Sequence, residues 1–194
     1  MNDLELFFSL GWHHIISAGA LDHILFIMAL SAIYIFKDWK NVLILITAFT
    51  IGHSLTLALS VYDVIRINNR LVEILIPCTI VITAVFNFFQ KNFTQKKFQL
   101  NYFFALFFGL IHGMGFANSI RFMMPKDESI AVPLLSFNIG LEAGQIVIVL
   151  LILLLSYLLI TILNAPRKVW IYILSSIALI ASLQIIVERL RQLS

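Results

Sequence analysis

The chain has 194 residues, of which 61% are hydrophobic and only 12% are charged, and its mean hydropathy is +0.99. A soluble domain carries about 25% charged residues, so this composition excludes a soluble protein and indicates an integral membrane protein. The net charge of +3 comes from Lys and Arg in short predicted loops, which gives no support to nucleic-acid binding. The single cysteine, Cys78, excludes an intramolecular disulfide and a cysteine-rich metal site.

A transmembrane helix needs about 20 apolar residues, and we predict six spans in an all-α bundle that forms one domain over residues 1–194. A short amphipathic or re-entrant segment, Leu6–Ala18, precedes the first span. The spans are expected at about residues 20–36, 42–61, 71–89, 102–120, 134–163 and 169–187. The breaks between them are Lys37–Lys40, Asp63–Arg70, Gln90–Gln99, Arg121–Pro133 and Asn164–Lys168.

Six spans place both termini on one side of the membrane, which we name side A. The Lys and Arg residues are nearly balanced, with 6 toward side A and 7 toward the opposite side, so the positive-inside rule gives little guidance. The N-terminal segment contains Asp3 and Glu5 but no Lys or Arg before Lys37. This acidic segment favours an extracytoplasmic side A.

Ionisable residues lie within the apolar stretches, where hydrocarbon makes them costly unless they line a cavity or bind a ligand. They are His14, Asp22, His23, His53, His112 and Glu142. Because successive helices alternate in direction, depth is counted from side A. His53 and His112 lie eight residues before their spans end there, and Glu142 lies eight residues after its span begins. At 1.5 Å per residue all three are predicted about 12 Å deep.

Asp22 and His23 are expected nearer side A unless the Gly19–Ala20 break lets their helix begin deeper. Further polar residues follow two helical stripes, and glycine pairs at G-x-x-x-G spacing predict close helix packing in lipid. The stripes are Asn138/Glu142/Gln145 and Thr47/Thr50/Ser54, and the glycine pairs are Gly109/Gly113 and Gly140/Gly144.

These side chains offer imidazole and carboxylate ligands without thiolate, and imidazole suits nickel, copper, zinc and iron, with carboxylate as a harder co-ligand. They would form either one binding cage or a relay of weaker sites along a permeation path. A structural role is the alternative, with Thr50 and Ser54 as hydrogen-bond partners of His53. Adjacent helical side chains point about 100° apart, so we expect Asp22 to find its partner on another helix rather than at His23.

Four ordered blocks resemble the HupE/UreJ family of hydrogenase/urease accessory membrane proteins, and the likeness runs over residues 11–145. The blocks are GALDHILF at 19–26, FTIGHSLTL at 49–57, FGLIHGMGFA at 108–117 and FNIGLEAGQ at 137–145. The resemblance implies a multi-pass protein of the bacterial inner membrane, associated with nickel or cobalt uptake. It also implies a metal motif at His14, Asp22 and His23, whose seven-residue spacer is longer than in the better-known nickel permeases.

Three functions fit these residues, and the resemblance places the first of them foremost. The first is a divalent transition-metal permease or metal-binding accessory protein, with ions passing from side A along the six ionisable residues. The second is a membrane-embedded zinc hydrolase with three histidine ligands, Glu142 or Asp22 as base, and Ser54 positioning a lipid or membrane-anchored substrate. The third is a metal-stabilised scaffold. The expected partners are a metal ion and the lipid bilayer, with homo-oligomerisation left open.

Overall fold

The computed structural model describes residues 3–66, 68–90, 98–123 and 131–192, and these residues form helices and turns without a strand. The helices are α1 (Asp3–Ile16), α2 (Leu21–Ser31), α3 (Trp39–Val61), α4 (Asn69–Phe89), α5 (Phe98–Met123), α6 (Ala131–Ser156) and α7 (Arg167–Arg191). Short 3-10 turns, Ala18–Ala20 and Phe36–Asp38, precede α2 and α3, and a π-helical turn, Tyr157–Ile162, extends α6. The all-α prediction is confirmed for the described residues.

Four described helical stretches are long and apolar enough to cross a membrane, namely Phe36–Val61, Asn69–Phe89, Ala131–Ile162 and Arg167–Arg191. A fifth is the bent pair Leu4–Ile16 and Leu21–Ser31, whose two halves differ in direction by 67°. Helix α5 contributes a shorter apolar stretch, Asn101–Phe116. The chain is therefore a multi-pass membrane protein, but the predicted number of six spans is not confirmed.

Residues suited to tight reversals end two of the helices. Asp63 and Asn164 follow α3 and the π-helical turn, with φ angles of 62° and 53°, in a left-handed region that Asp and Asn tolerate better than most residues. Pro166 then precedes α7. These reversals fall at two of the predicted breaks. The central parts of two others, residues 91–97 and 124–130, lie outside the described residues.

The contacts of α1 and α2 show that the two helices cross the bundle together. At the start of α6, Ser136 Oγ donates to the carbonyl oxygen of Leu4 at 2.6 Å, so α1 begins at the end of the bundle where α6 begins. At the end of α4, Asn87 Nδ2 donates to the carbonyl oxygen of Ala29 at 2.8 Å, so α2 ends on the opposite side. The segment Ser17–Ala20 is therefore a break within one crossing. The structure thus differs from the predicted span at 20–36, because α1 supplies its outer half.

Glycines hold two pairs of parallel helices at close distance. A Cβ at Gly109 of α5 would overlap the carbonyl oxygen of Phe49 in α3, and a Cβ at Gly140 of α6 would overlap the backbone of α1. Their partners Gly113 and Gly144 lie against the same two helices. The predicted close packing at both G-x-x-x-G pairs is confirmed. This packing fixes the relative heights of four helices that surround the candidate site.

Candidate metal centre

Four histidines from four helices meet inside the bundle. They are His14 of α1, His23 of α2, His53 of α3 and His112 of α5. One ring nitrogen from each of His14, His23 and His53 lies within 4.8 Å of the other two. The His112 ring is centred 5.1 Å from the His23 ring. The cluster is a product of tertiary packing, because its members are spread over more than half of the chain.

Several ring nitrogens of this cluster are buried and have no hydrogen-bond partner among the described residues. They are Nε2 of His14, His23 and His112, and both nitrogens of His53. The His53 side chain is 0% exposed. An unpaired buried polar atom costs about 1–3 kcal/mol, so several at one place indicate a group prepared to bind a ligand.

Two of the rings are held so that Nε2 carries the free lone pair. His112 Nδ1 lies 2.8 Å from the carbonyl oxygen of Phe108, and His23 Nδ1 lies 3.0 Å from Asp22 Oδ1. Carbonyl and carboxylate oxygens accept hydrogen bonds, so each Nδ1 carries the hydrogen. A neutral imidazole fixed in this way offers Nε2 to a metal ion.

Asp22 supports the residue that follows it in the chain. Its Oδ1 accepts the backbone N–H of His23 at 2.8 Å as well as the ring Nδ1–H. The expectation that Asp22 has its partner on another helix is therefore wrong. Asp22 lies in the first turn of α2, where backbone N–H groups have no helical acceptor. The carboxylate turns back to that free N–H, and this position brings it to the neighbouring ring.

The break in the first crossing places His23 at the depth of the other histidines. His14 lies in the last turn of α1 and His23 at the start of α2, and their ring centroids are 4.7 Å apart. The seven-residue spacer of the motif therefore contains the turn between α1 and α2. This turn bends the membrane crossing without reversing its direction. The C-terminal end of α1 carries partial negative charge, and through His14 it lies beside the histidine cluster, where it favours a cation.

Aromatic rings to which the sequence patterns gave no role enclose the histidines. They are Phe26, Phe49, Phe116 and Phe137, each of which contacts at least one histidine ring. The closest pair is His14 and Phe116, with centroids 4.1 Å apart. An apolar shell of this kind limits solvent access to a metal site. Their positions in the chain could have identified these phenylalanines, because each of them lies in one of the four sequence blocks.

Glu142 lies outside the group of mutually close ring nitrogens, in a groove between α3 and α6. Thr47 Oγ1 donates to Glu142 Oε1 at 2.7 Å. The groove has a volume of about 550 Å³ and is also lined by Ser54 and Asn138. The structure therefore divides the predicted site residues between a histidine cluster with Asp22 and a groove with Glu142.

The supporting polar residues form hydrogen bonds within and between α3 and α6 rather than to the histidines. Thr50 Oγ1 donates to Gln145 Oε1 at 2.8 Å, and Ser54 Oγ donates to the Thr50 carbonyl oxygen at 2.6 Å. Both hydroxyl hydrogens are thus used elsewhere, and the nitrogens of His53 have no partner in the described part of the chain. The structural role considered for His53 gains no support from these contacts.

Two other ionisable residues lie away from the cluster. His13 is exposed on the surface of α1, next to His14 in the chain. Glu73 of α4 is also exposed, and Arg189 of α7 lies 3.5 Å from its carboxylate.

The fold and the cluster define a multi-pass helical membrane protein with histidines gathered inside its bundle. A family model described as HupE / UreJ protein matches residues 1–189, and the chain belongs to this family. The match confirms the resemblance and extends it through α7, where the sequence blocks gave no motif. No curated protein and no solved structure matches the chain.

Proposed function

We propose that the protein is a permease for a divalent transition metal of the nickel or cobalt type in the inner membrane of a bacterium. One observation carries the proposal: histidines from four helices place buried ring nitrogens, which have no hydrogen-bond partner within the described ranges, beside a broken membrane helix. Transporters commonly bind their substrates at such helix breaks near the middle of the bilayer. Membership of the HupE/UreJ family adds support, because this family relates to nickel and cobalt handling.

The donor set fits a transition metal that is bound and then released. His14, His23 and His53 would hold the ion, with His112 as a fourth ligand and Asp22 supporting His23. Two nitrogens bound tetrahedrally at about 2.0–2.1 Å from one metal lie about 3.4 Å apart. One ligand atom from each of His14, His23 and His53 lies within 4.8 Å of the other two. Conduction would require that the ion is bound weakly enough to be released.

Uptake into proteoliposomes tests the proposal. Vesicles that contain the purified chain are exposed to Ni²⁺ or Co²⁺, washed and assayed for internal metal by mass spectrometry. His53→Ala is expected to reduce the initial uptake rate by about tenfold or more. His13→Ala is the matched control, since it removes an exposed imidazole from the same region, and it should transport like the unmodified chain. Equal uptake by empty vesicles and by vesicles containing the protein would overturn the proposal.

Metal content separates transport from the zinc-hydrolase alternative, for which the family match gives no support. A permease should lose most of its metal during purification without added metal. One tightly held zinc per chain would favour a hydrolase, because a catalytic zinc is a resident ligand. The scaffold interpretation predicts a third result, in which removing the metal lowers stability while uptake is absent from the start.

A further inference from the structure

The groove between α3 and α6 runs from side A toward the middle of the bundle. Its outer end is lined by Tyr62 and Ala131, and its inner end by Thr47 and Glu142. Glu142 lies eleven residues beyond Ala131, the first residue of α6, which corresponds to about 17 Å along the helix axis. This distance is roughly half of the hydrocarbon thickness of about 30 Å. The groove therefore leads from the membrane surface to a carboxylate near the depth of the histidines.

The hydroxyl groups of the groove already donate their hydrogens to protein acceptors. Thr47 donates to Glu142 at 2.7 Å, Thr50 donates to Gln145 at 2.8 Å, and Ser54 donates to the Thr50 carbonyl oxygen at 2.6 Å. A hydroxyl that donates its hydrogen keeps lone pairs for accepting. The inner wall consequently offers oxygen lone pairs, together with the one carboxylate of Glu142, to whatever the groove contains.

Asn138 adds a buried acceptor that has no donor among the described residues. Its Nδ2 donates to the Leu134 carbonyl oxygen at 2.8 Å, which fixes the amide orientation and leaves Oδ1 unpaired. Asn138 lines the groove and is only 9% exposed. A buried acceptor without a donor calls for a bound partner. Asn138 borders the groove beside Glu142, so a cation or its water shell that reached Oδ1 would supply the missing partner.

We propose that the groove is a second cation site, in which a hydrated divalent cation is held by oxygen atoms of Glu142, Asn138 and Thr47. Carboxylate, carbonyl and water oxygens suit hard, hydrated ions, whereas imidazoles suit transition metals that have lost water. Its role as the access site for the histidine cluster rests on the proposed permease function. The binding of a cation in the groove does not depend on the permease function.

Manganese is the probe, because Mn²⁺ prefers oxygen ligands and its paramagnetic resonance signal distinguishes free from bound ion. The full chain is placed in nanodiscs of zwitterionic phosphatidylcholine and titrated with Mn²⁺. One saturable site is expected, and Glu142→Gln should weaken it by about tenfold or more. The Gln side chain keeps an acceptor for Thr47, so the helix contact is retained. Glu73→Gln, which neutralises an exposed acid of α4 outside the groove, should leave Mn²⁺ binding unchanged.

A double variant, His14→Ala with His53→Ala, separates this proposal from the permease. It should keep the Mn²⁺ site and lose Ni²⁺ binding. Loss of Mn²⁺ binding in the double variant but not in Glu142→Gln would overturn the groove proposal and leave the histidine site standing. Absence of saturable Mn²⁺ binding by the unmodified chain would overturn it as well. Normal Mn²⁺ binding without any Ni²⁺ binding or uptake would instead overturn the permease and leave the groove site in place.

Discussion

The carboxylate of Asp22 holds the imidazole of the very next residue, His23, with 3.0 Å between Oδ1 and Nδ1. The same oxygen accepts the backbone N–H of His23 at 2.8 Å, so one acid fixes both the chain and the ring. This hydrogen bond leaves Nε2 of His23 as the ring nitrogen that is free to bind a metal ion. In the permease we propose, the Asp-His pair therefore supplies one metal ligand and its support rather than two ligands.

Replacing Asp22 should weaken metal binding through His23. Asp22→Ala removes both the charge and the acceptor, and we expect Ni²⁺ affinity to fall by about 10- to 100-fold. Asp22→Asn keeps an acceptor for Nδ1–H, so the affinity should fall by less. Isothermal titration of the detergent-solubilised protein measures both, with Glu5→Gln as a control on the exposed surface of α1. An Asn variant as defective as the Ala variant would contradict a supporting role and indicate direct ligation.

The helices could be predicted from the sequence wherever charged breaks bound a long apolar run. The predicted spans 42–61 and 71–89 correspond to α3 and α4, Trp39–Val61 and Asn69–Phe89. The broken crossing could not be predicted in the same way. Helix α1 has only 14 residues, too few to span a bilayer, and its place inside the bundle depends on packing against α6. Hydropathy along the chain contains no information about that contact.

The candidate site could likewise be predicted only in part from the sequence. The histidines could be found because a buried ionisable group is costly wherever its helix lies. The position of Glu142 was harder, because counting residues gives the depth of a side chain but not its direction around the helix axis. Glu142 shares a stripe with Asn138 and Gln145, and that stripe faces the hydroxyls of α3. The direction in which Glu142 points depends on how α6 is rotated about its own axis. The close contact of Gly140 with α1 sets that rotation.

His53→Leu should separate the contribution of the histidines to stability from their contribution to metal binding. Without metal, His53 has two buried ring nitrogens that find no partner among the residues the structure describes, at a cost of about 1–3 kcal/mol per atom. A leucine of similar size has no such atoms, so the metal-free variant should be at least as stable as the unmodified chain. Metal at 100 times its Kd should add about 2.7 kcal/mol to the unmodified chain and much less to the variant. Thermal unfolding with and without Ni²⁺ measures both, and a strongly destabilised metal-free variant would contradict the prediction.

Glu73→Gln should have little effect on either stability or metal binding. The Glu73 carboxylate lies 3.5 Å from Arg189, and the two side chains are 46% and 42% exposed. Exposed ion pairs contribute about 0.2–1 kcal/mol, so the free energy of unfolding should fall by less than about 1 kcal/mol. Ni²⁺ titration of the variant should match that of the unmodified chain. A marked loss of Ni²⁺ affinity would place Glu73 on the ion path, against its position in the structure.

Gly109→Ala should disturb the site without touching a histidine. A Cβ at this position would overlap the Phe49 carbonyl oxygen, and backbone cannot move aside as a flexible side chain can. Helices α3 and α5 must therefore separate, which moves His53 away from His112. We expect a loss of about 1–3 kcal/mol in stability together with weaker Ni²⁺ binding. Gly19→Ala is the control, because among the described residues its Cβ would meet only Ser17 Oγ, at 3.9 Å. Equal melting temperatures and equal Ni²⁺ affinities for the two variants would show that the distance between α3 and α5 does not set the geometry of the site.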